Sequence, residues 1–254
     1  MNSTKEFTFD KDRHLYKLDG HPMTGCTTIL GVLAKPALIP WAAKMVVEYI
    51  QNNAQKEYYP VPENEDPGEY NYIVSEQLLA EAKVAHTKRK EKAGDYGTKT
   101  HEIIAEIIAD VIEKSEGRIL SGNNPNQSVQ NFLDWAIENK VKFLETEKMI
   151  YSEDLFIAGT VDFVCEIDGQ VWIGDFKTTG SGIYAEHFYQ TAGYQVMLEA
   201  MGLYPNITGH LILNLKENGE FLEKRSVSNE ANKKIFLNCL EIYRQTEKLK
   251  TNIN

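Results

Sequence analysis

The chain has 254 residues, 42% of them hydrophobic and 25% charged, and a formal charge of -10; the balance is ordinary for a globular protein and too acidic for one that coats nucleic acid by bulk electrostatics. Any nucleic-acid contact must therefore be local, and carboxylates that count as negative in this sum can sit in a site neutralised by an ion. The length suits one domain with elaborations, no apolar run nears the roughly 20 residues of a membrane helix, and the start Met1-Asn2-Ser3-Thr4-Lys5-Glu6 lacks a signal-peptide core, which predicts a cytoplasmic location and no membrane partner.

Cys26, Cys165 and Cys239 are an odd number without paired ligand spacing. They support neither a disulfide framework nor a four-cysteine zinc or iron–sulfur site, and predict three buried thiols.

Phe7-Thr8-Phe9-Asp10 and His14-Leu15-Tyr16-Lys17-Leu18 alternate apolar with polar residues and predict a short hairpin, with Asp19-Gly20 as the next turn. Thr27-Thr28 before Ile29-Leu30-Gly31-Val32-Leu33 has the form of a helix entry. Pro36 and Pro40 predict a break before a helix from Trp41 to about Gln51. From Asn52 to Tyr70 the residues are rich in Pro, Asn, Glu and Gly without periodicity, which predicts a loop.

Ile73 to about Ala93 is helical in pattern and carries Lys83, Lys88, Arg89, Lys90 and Lys92, with Lys99 following. Such a run commonly means a solvated helix face; in an acidic chain, just ahead of the next motif, it is also a candidate DNA contact. Gly94-Asp95-Tyr96-Gly97 predicts a break, and Thr98 to about Glu113 a second helix with Ile103, Ile104, Ile107, Ile108, Val111 and Ile112 as its apolar side. His101 precedes that stripe, either as a hydrogen-bonded structural residue or, as a neutral imidazole near carboxylates, as a metal ligand. Glu116 to Gln127 predicts a loop, and about Ser128 to Leu144 an amphipathic helix with Phe132, Trp135, Ile137 and Phe143 available to the core.

Glu147-Lys148-Met149-Ile150-Tyr151 opens a sheet, and Glu147 either approaches the site or faces solvent. Gly159 to Val164 and Val171 to Thr179 read as the next two strands, joined through the turn signal Asp168-Gly169. Alternation along a strand puts Asp175 and Lys177 on one face with Phe176 on the other, and the hairpin brings Asp162 beside them. Two acids that close repel unless a cation lies between them, and oxygen ligands suit Mg²⁺ or Mn²⁺. An isolated Asp-x-Lys is commonly a solvated pair. This one ends an apolar strand, with a second acid on the preceding strand and a polar helix following.

Gly180-Ser181-Gly182 is a joint before a helix from about Tyr184 to Met201, on which Gln190 and Tyr194 share a face. Ile207 to Leu215 and Phe221 to Val227 predict strands around Asn218-Gly219, and a closing amphipathic helix runs from Asn229 to about Leu249. The order predicts an α/β fold with a central mixed β-sheet flanked by helices.

These residues resemble the RecB-type branch of the PD-(D/E)xK nuclease superfamily. Gly97-Thr98-Lys99-Thr100-His101 is similar to its Gly-x-x-x-His motif, Gly159-Thr160-Val161-Asp162 to its Gly-x-x-Asp motif, Asp175-Phe176-Lys177 to its acid-x-Lys motif, and Gln190-Thr191-Ala192-Gly193-Tyr194 to its Gln-x-x-x-Tyr motif. Each is weak alone; together and in order they cover roughly residues 94 to 227. The N-terminal hairpin, the Thr-Thr-Ile-Leu stretch and Trp41 also resemble phage-encoded members that degrade DNA ends.

The resemblance implies a single nuclease domain: a restriction-endonuclease-like core over 94–227, an N-terminal hairpin and helical elaboration over 1–93, and a C-terminal helix over 228–254. It implies one or two Mg²⁺ or Mn²⁺ ions held by His101, Asp162, Asp175 and the Phe176 carbonyl. Lys177 would orient or activate water and stabilise charge on the attacked phosphate, with Asp162 and Asp175 as its catalytic partners. Gln190 and Tyr194 would contact DNA or order the site, with Lys99 as a further DNA contact and Thr178 holding the backbone. The implied partners are DNA and a single-strand annealing or other recombination protein, in a bacterial or phage-infected cell. Three scattered cysteines cannot build the iron–sulfur cluster of some relatives, and no Walker-type stretch is present for a helicase motor. The alternative is a nuclease-fold DNA-binding or regulatory module that does not cut.

Overall fold

The structure, a computed structural model, describes residues 5–11, 13–36, 38–58 and 70–253. In chain order the elements are β1 (Phe7–Asp10), β2 (Leu15–Leu18), β3 (His21–Pro22), β4 (Thr24–Gly25), α1 (Cys26–Leu30), α2 (Leu38–Asn53), β5 (Gln55–Tyr58), β6 (Tyr70–Ile73), α3 (Glu76–Lys83), α4 (Ala85–Lys114) and α5 (Gln127–Glu138). There follow β7 (Lys142–Ser152), β8 (Ile157–Ile167), β9 (Gln170–Lys177), α6 (Ala185–Ala200), β10 (Ile207–Leu215), β11 (Phe221–Ser226) and α7 (Asn229–Ile253). No helix among the described residues is long and apolar enough to cross a membrane.

The chain forms two compact units, one from Met1–Leu33 and Tyr96–Asn254 and the other from Ala34–Asp95. The first is α/β with a mixed sheet in the order β11-β10-β9-β8-β4, and β7 paired to β8. The β8–β9 hairpin turns on Asp168 and Gly169, whose φ angles of 51° and 75° are the positive values that a two-residue turn needs to match the right-handed twist of its strands, which explains the Asp-Gly pair. β9 and β10 are parallel and joined through α6, the crossover that parallel strands need.

Two apolar layers sandwich this sheet. Ile104, Ile108, Val129, Phe132 and Trp135 from α4 and α5 pack with Phe163, Trp172, Phe176 and Leu213 on one face; Tyr194, Met197, Leu198 and Phe236 from α6 and α7 pack with Val161, Val164 and Ile173 on the other. Each large apolar side chain buried this way contributes about 1.5–3 kcal/mol. The β1–β2 hairpin lies on a smaller cluster of Tyr16, Leu18, Met23 and Ala158.

The second unit holds α2, the β5–β6 hairpin, α3 and the start of α4. α2 begins at Leu38, so Pro40 lies in its first turn, where a missing N–H breaks no intrahelical bond. Tyr49 Oη donates to Glu81 Oε2 at 2.8 Å, tying α2 to α3. The predicted loop over 52–70 is corrected at both ends: Gln55–Tyr58 pairs antiparallel with Tyr70–Ile73, and residues 59–69 lie outside the described residues.

Three predicted boundaries also change. The helix expected from Ile73 starts after Ser75, whose Oγ accepts from the Leu78 N–H at 3.2 Å, and pauses at Val84. The break expected at Gly94–Gly97 is absent: α4 runs on, because burial of Ile104 and Ile108 offsets the roughly 1 kcal/mol that each glycine costs a helix. The helix expected to reach Leu144 ends at Glu138; a turn with Lys140 at φ 50° delivers Phe143 to the core from β7 instead.

Candidate active site

The β8–β9 pair is regular from Ile167↔Gln170 to Phe163↔Gly174 and then opens. β4 takes up the same edge of β8 only at Ile157 and Ala158, since β7 occupies the other edge throughout. Residues 159–162 thus border a gap in the sheet. Alternation also slips there: Val161 joins the α6/α7 layer, as does Val164, while Phe163 joins the opposite one. Asp162 sits at the slip, and its Oδ2 accepts the Phe176 N–H at 2.7 Å across the opening.

β9 carries Asp175 and Lys177 toward α6, with Phe176 in the opposite core layer, as alternation predicts. Lys177 Nζ lies 2.6 Å from Asp175 Oδ2 and donates to Gln190 Oε1 at 3.2 Å. Gln190 Nε2 donates to Asp175 Oδ1 at 3.2 Å and to the Tyr194 hydroxyl at 2.6 Å. Gln190 therefore bridges the acid and the lysine. Tyr194 is buried beneath it and does not face solvent. The buried Cys26 thiol donates to the Gln190 carbonyl at 3.5 Å.

His101 enters from α4 with its Nδ1 3.8 Å from Asp162 Oδ2, its ring edge-on to Phe176 at 5.6 Å. Two motif glycines allow these approaches. A Cβ on Gly97 would stand 2.6 Å from Thr178 Oγ1, so glycine lets α4 reach the segment leaving β9. On Gly159 it would stand 3.0 Å from the Tyr194 ring. Thr178 is half-buried there, and Lys99 is exposed on α4. The basic run Lys83, Lys88, Arg89, Lys90 and Lys92 belongs to the second unit, where all five are exposed.

Burial pushes the Asp175 carboxyl above the ordinary carboxylate range, an effect that the Lys177 charge opposes and the Asp162 charge reinforces. Desolvation would lower Lys177, but the charges of Asp175 and Asp162 outweigh it and hold the ammonium protonated. Asp175 Oδ2 is buried and accepts no hydrogen bond of ordinary geometry, so Lys177 serves it as a charge partner.

The donor set suits a hard divalent cation in part. Two ligands bonded to one Mg²⁺ at about 2.0–2.1 Å lie roughly 3–4 Å apart, which fits the 3.8 Å between His101 and Asp162. Among the described residues no three His, Cys, Asp or Glu side chains converge as they would around an ion. Both Asp175 oxygens are engaged, by Lys177 and Gln190.

Sequence reasoning left Glu147 open. In the β7–β8 register it stands opposite Asp162, between Thr146↔Phe163 and Lys148↔Val161, with φ at 45° in mid-strand. A non-glycine residue in that conformation costs about 1–3 kcal/mol and persists only where its surroundings impose it. Burial of its carboxyl, reinforced by the Asp162 charge, raises it to about 7. This third acid of the region is an exposed residue whose carboxyl is close enough to Asp162 for their charges to interact, and no local pattern in Glu147-Lys148-Met149 distinguishes it from any other solvent-facing strand residue.

No protein-family model matches the chain, and no curated protein matches it in sequence.

Proposed function

We propose that this chain is a metal-dependent deoxyribonuclease with a restriction-endonuclease-like core of the RecB type, acting as an exonuclease on DNA ends in phage or bacterial recombination or repair. The observation that carries this reading is the opening of the β8–β9 hairpin, where Asp162 is fastened to the Phe176 N–H between Asp175 and Lys177, and Lys177 is paired with Asp175.

Asp162, Asp175, His101 and the Phe176 carbonyl would hold one or two Mg²⁺ or Mn²⁺ ions, with the Glu147 carboxylate within electrostatic reach of Asp162. When bound, the cation supplies relief of phosphate charge and a more acidic water. An ion held by Asp175 would compete with its Lys177 contact and would leave the ammonium available to the phosphate. Lys177, kept protonated by its acidic surroundings, then stabilises the charge that grows on the attacked group. Gln190 accepts from Lys177 through Oε1 and so would keep the lysine at the site. Lys99 and Thr178, on the rims of the site, are the nearest candidates to touch the DNA strand.

The saturated state of Asp175 favours a second reading, a nuclease-fold DNA-binding module that does not cut. Incubating the purified chain and Mg²⁺ or Mn²⁺ with end-labelled linear, closed circular and single-stranded DNA separates the two. The exonuclease reading predicts progressive loss of linear substrate with the circle intact; binding to all three with no metal producing cleavage would favour the module.

A further inference from the structure

We propose that Asn214 is a positioning residue for Lys177, fixing the chain that leaves β9 so that the ammonium stays between Asp175 and Gln190; the inference rests on the nuclease reading for its functional meaning. Lys177 is the last residue of β9, and the chain beyond it leaves the sheet. Asn214 pairs with it in register on the parallel neighbour β10, near that strand's end. Register partners in parallel strands share a face, and on β10 it is Leu211, Leu213 and Leu215 that turn to the opposite layer. Asn214 therefore stands beside Lys177 on the α6 side.

The Asn214 amide is fully buried and spends both donors on one segment: Nδ2 reaches the Thr179 carbonyl at 3.2 Å and the Ser181 carbonyl at 2.8 Å. Its Oδ1 is also buried and has no donor. A side chain chosen only for stability would not leave an acceptor orphaned, at a cost of about 1–3 kcal/mol, when a hydrophobic residue fits a fully buried sheet position. What asparagine adds is the double clamp. It folds 178–182 back over the end of β10, setting Thr178 against Gly97 of the helix that carries His101. Without the clamp the strand end frays, and a lysine at a frayed end samples many rotamers.

The test uses the full chain with Asn214→Ala, Asn214→Asp and Asn214→Ser. Aspartate keeps the size but cannot donate to carbonyls when ionised; serine restores one donor. Well below each variant's melting temperature, the alanine and aspartate variants should show kcat on linear DNA reduced about 10–100-fold with KM within about twofold, since small misplacement of a reacting group costs that much. Serine should recover part of kcat. Independently of cleavage, limited acetylation followed by mass spectrometry should label Lys177 at least about fivefold faster in the alanine variant, with labelling of Lys216 and Lys233 unchanged. Variants that melt lower yet keep wild-type kcat and wild-type Lys177 labelling would reduce Asn214 to a structural residue. If the wild type cuts no DNA but the labelling change appears, the positioning role stands and the nuclease reading falls.

Discussion

Asp162 Oδ2 accepts the backbone N–H of Phe176 at 2.7 Å, so the acid of one strand is fastened between the acid and the lysine of the next. One side chain both holds the hairpin's open end and supplies a carboxylate more accessible than that of Asp175. These two roles separate by mutation. Asp162→Asn keeps an oxygen for the Phe176 N–H and should melt within about 1 kcal/mol of wild type in chelator, yet lose at least about 100-fold in cleavage. Asp162→Ala removes the acceptor and should cost a further 1–3 kcal/mol or about that much. Chelator melting curves beside cleavage rates for both variants check this.

Lys177→Ala should abolish most cleavage, by about 10²–10³ or more, and should also destabilise the metal-free protein. The buried Asp175 would lose its charge partner, and removing one member of a buried pair typically costs about 3–5 kcal/mol. Asp175→Asn combined with Lys177→Ala should regain most of that stability and none of the activity. A double-mutant cycle on denaturant midpoints measures the coupling.

His101→Ala should raise the Mn²⁺ concentration needed for half-maximal cleavage at least severalfold. Its ring is partly exposed and touches Phe176 edge-on, so the metal-free melting temperature should change little. An unchanged Mn²⁺ requirement with a lowered melting temperature would make His101 a structural residue.

Away from the site, His210 is buried on β10 with Nε2–H donating to Gln195 Oε1, the direction required because Gln195 Nε2 donates to Glu199. Burial, reinforced by Lys233, lowers its pKa to about 4. Because the folded value lies below the ordinary 6.5, the unfolded chain binds the proton first. The stability tied to a neutral His210 is complete above pH 6.5 and is lost as the pH falls toward 4, by an amount on the order of 3 kcal/mol. His210→Gln should flatten this part of the pH–stability curve, measured as the difference between the two proteins from pH 7 to pH 4.

Legibility followed the kind of signal each segment carried. β10, with its Leu211-Ile212-Leu213 core, and the Asp168-Gly169 turn were readable because local chemistry decides them. The continuity of α4 through Gly94 and Gly97 was not, since glycine opposes a helix locally and the packing of Ile104 and Ile108 that overrides it is tertiary. Phe143 belongs to a strand for the same reason: its apolar spacing also fits the preceding helix, and only the Gly117–Phe143 backbone pairing separates the two. In the site, Asp162, Asp175 and Lys177 stood out because they share one hairpin. Glu147 and Asn214 did not, because each acts through a neighbouring strand whose register the sequence does not state.

The most direct test of the central claim is cleavage of end-labelled linear duplex by the purified chain as Mg²⁺ or Mn²⁺ is titrated, with excess chelator and Asp162→Asn as parallel arms. The account predicts shortening of the substrate that rises with the metal, stops in chelator, returns when metal is restored and is absent in the variant. Undiminished cutting in chelator, or by Asp162→Asn, would contradict it.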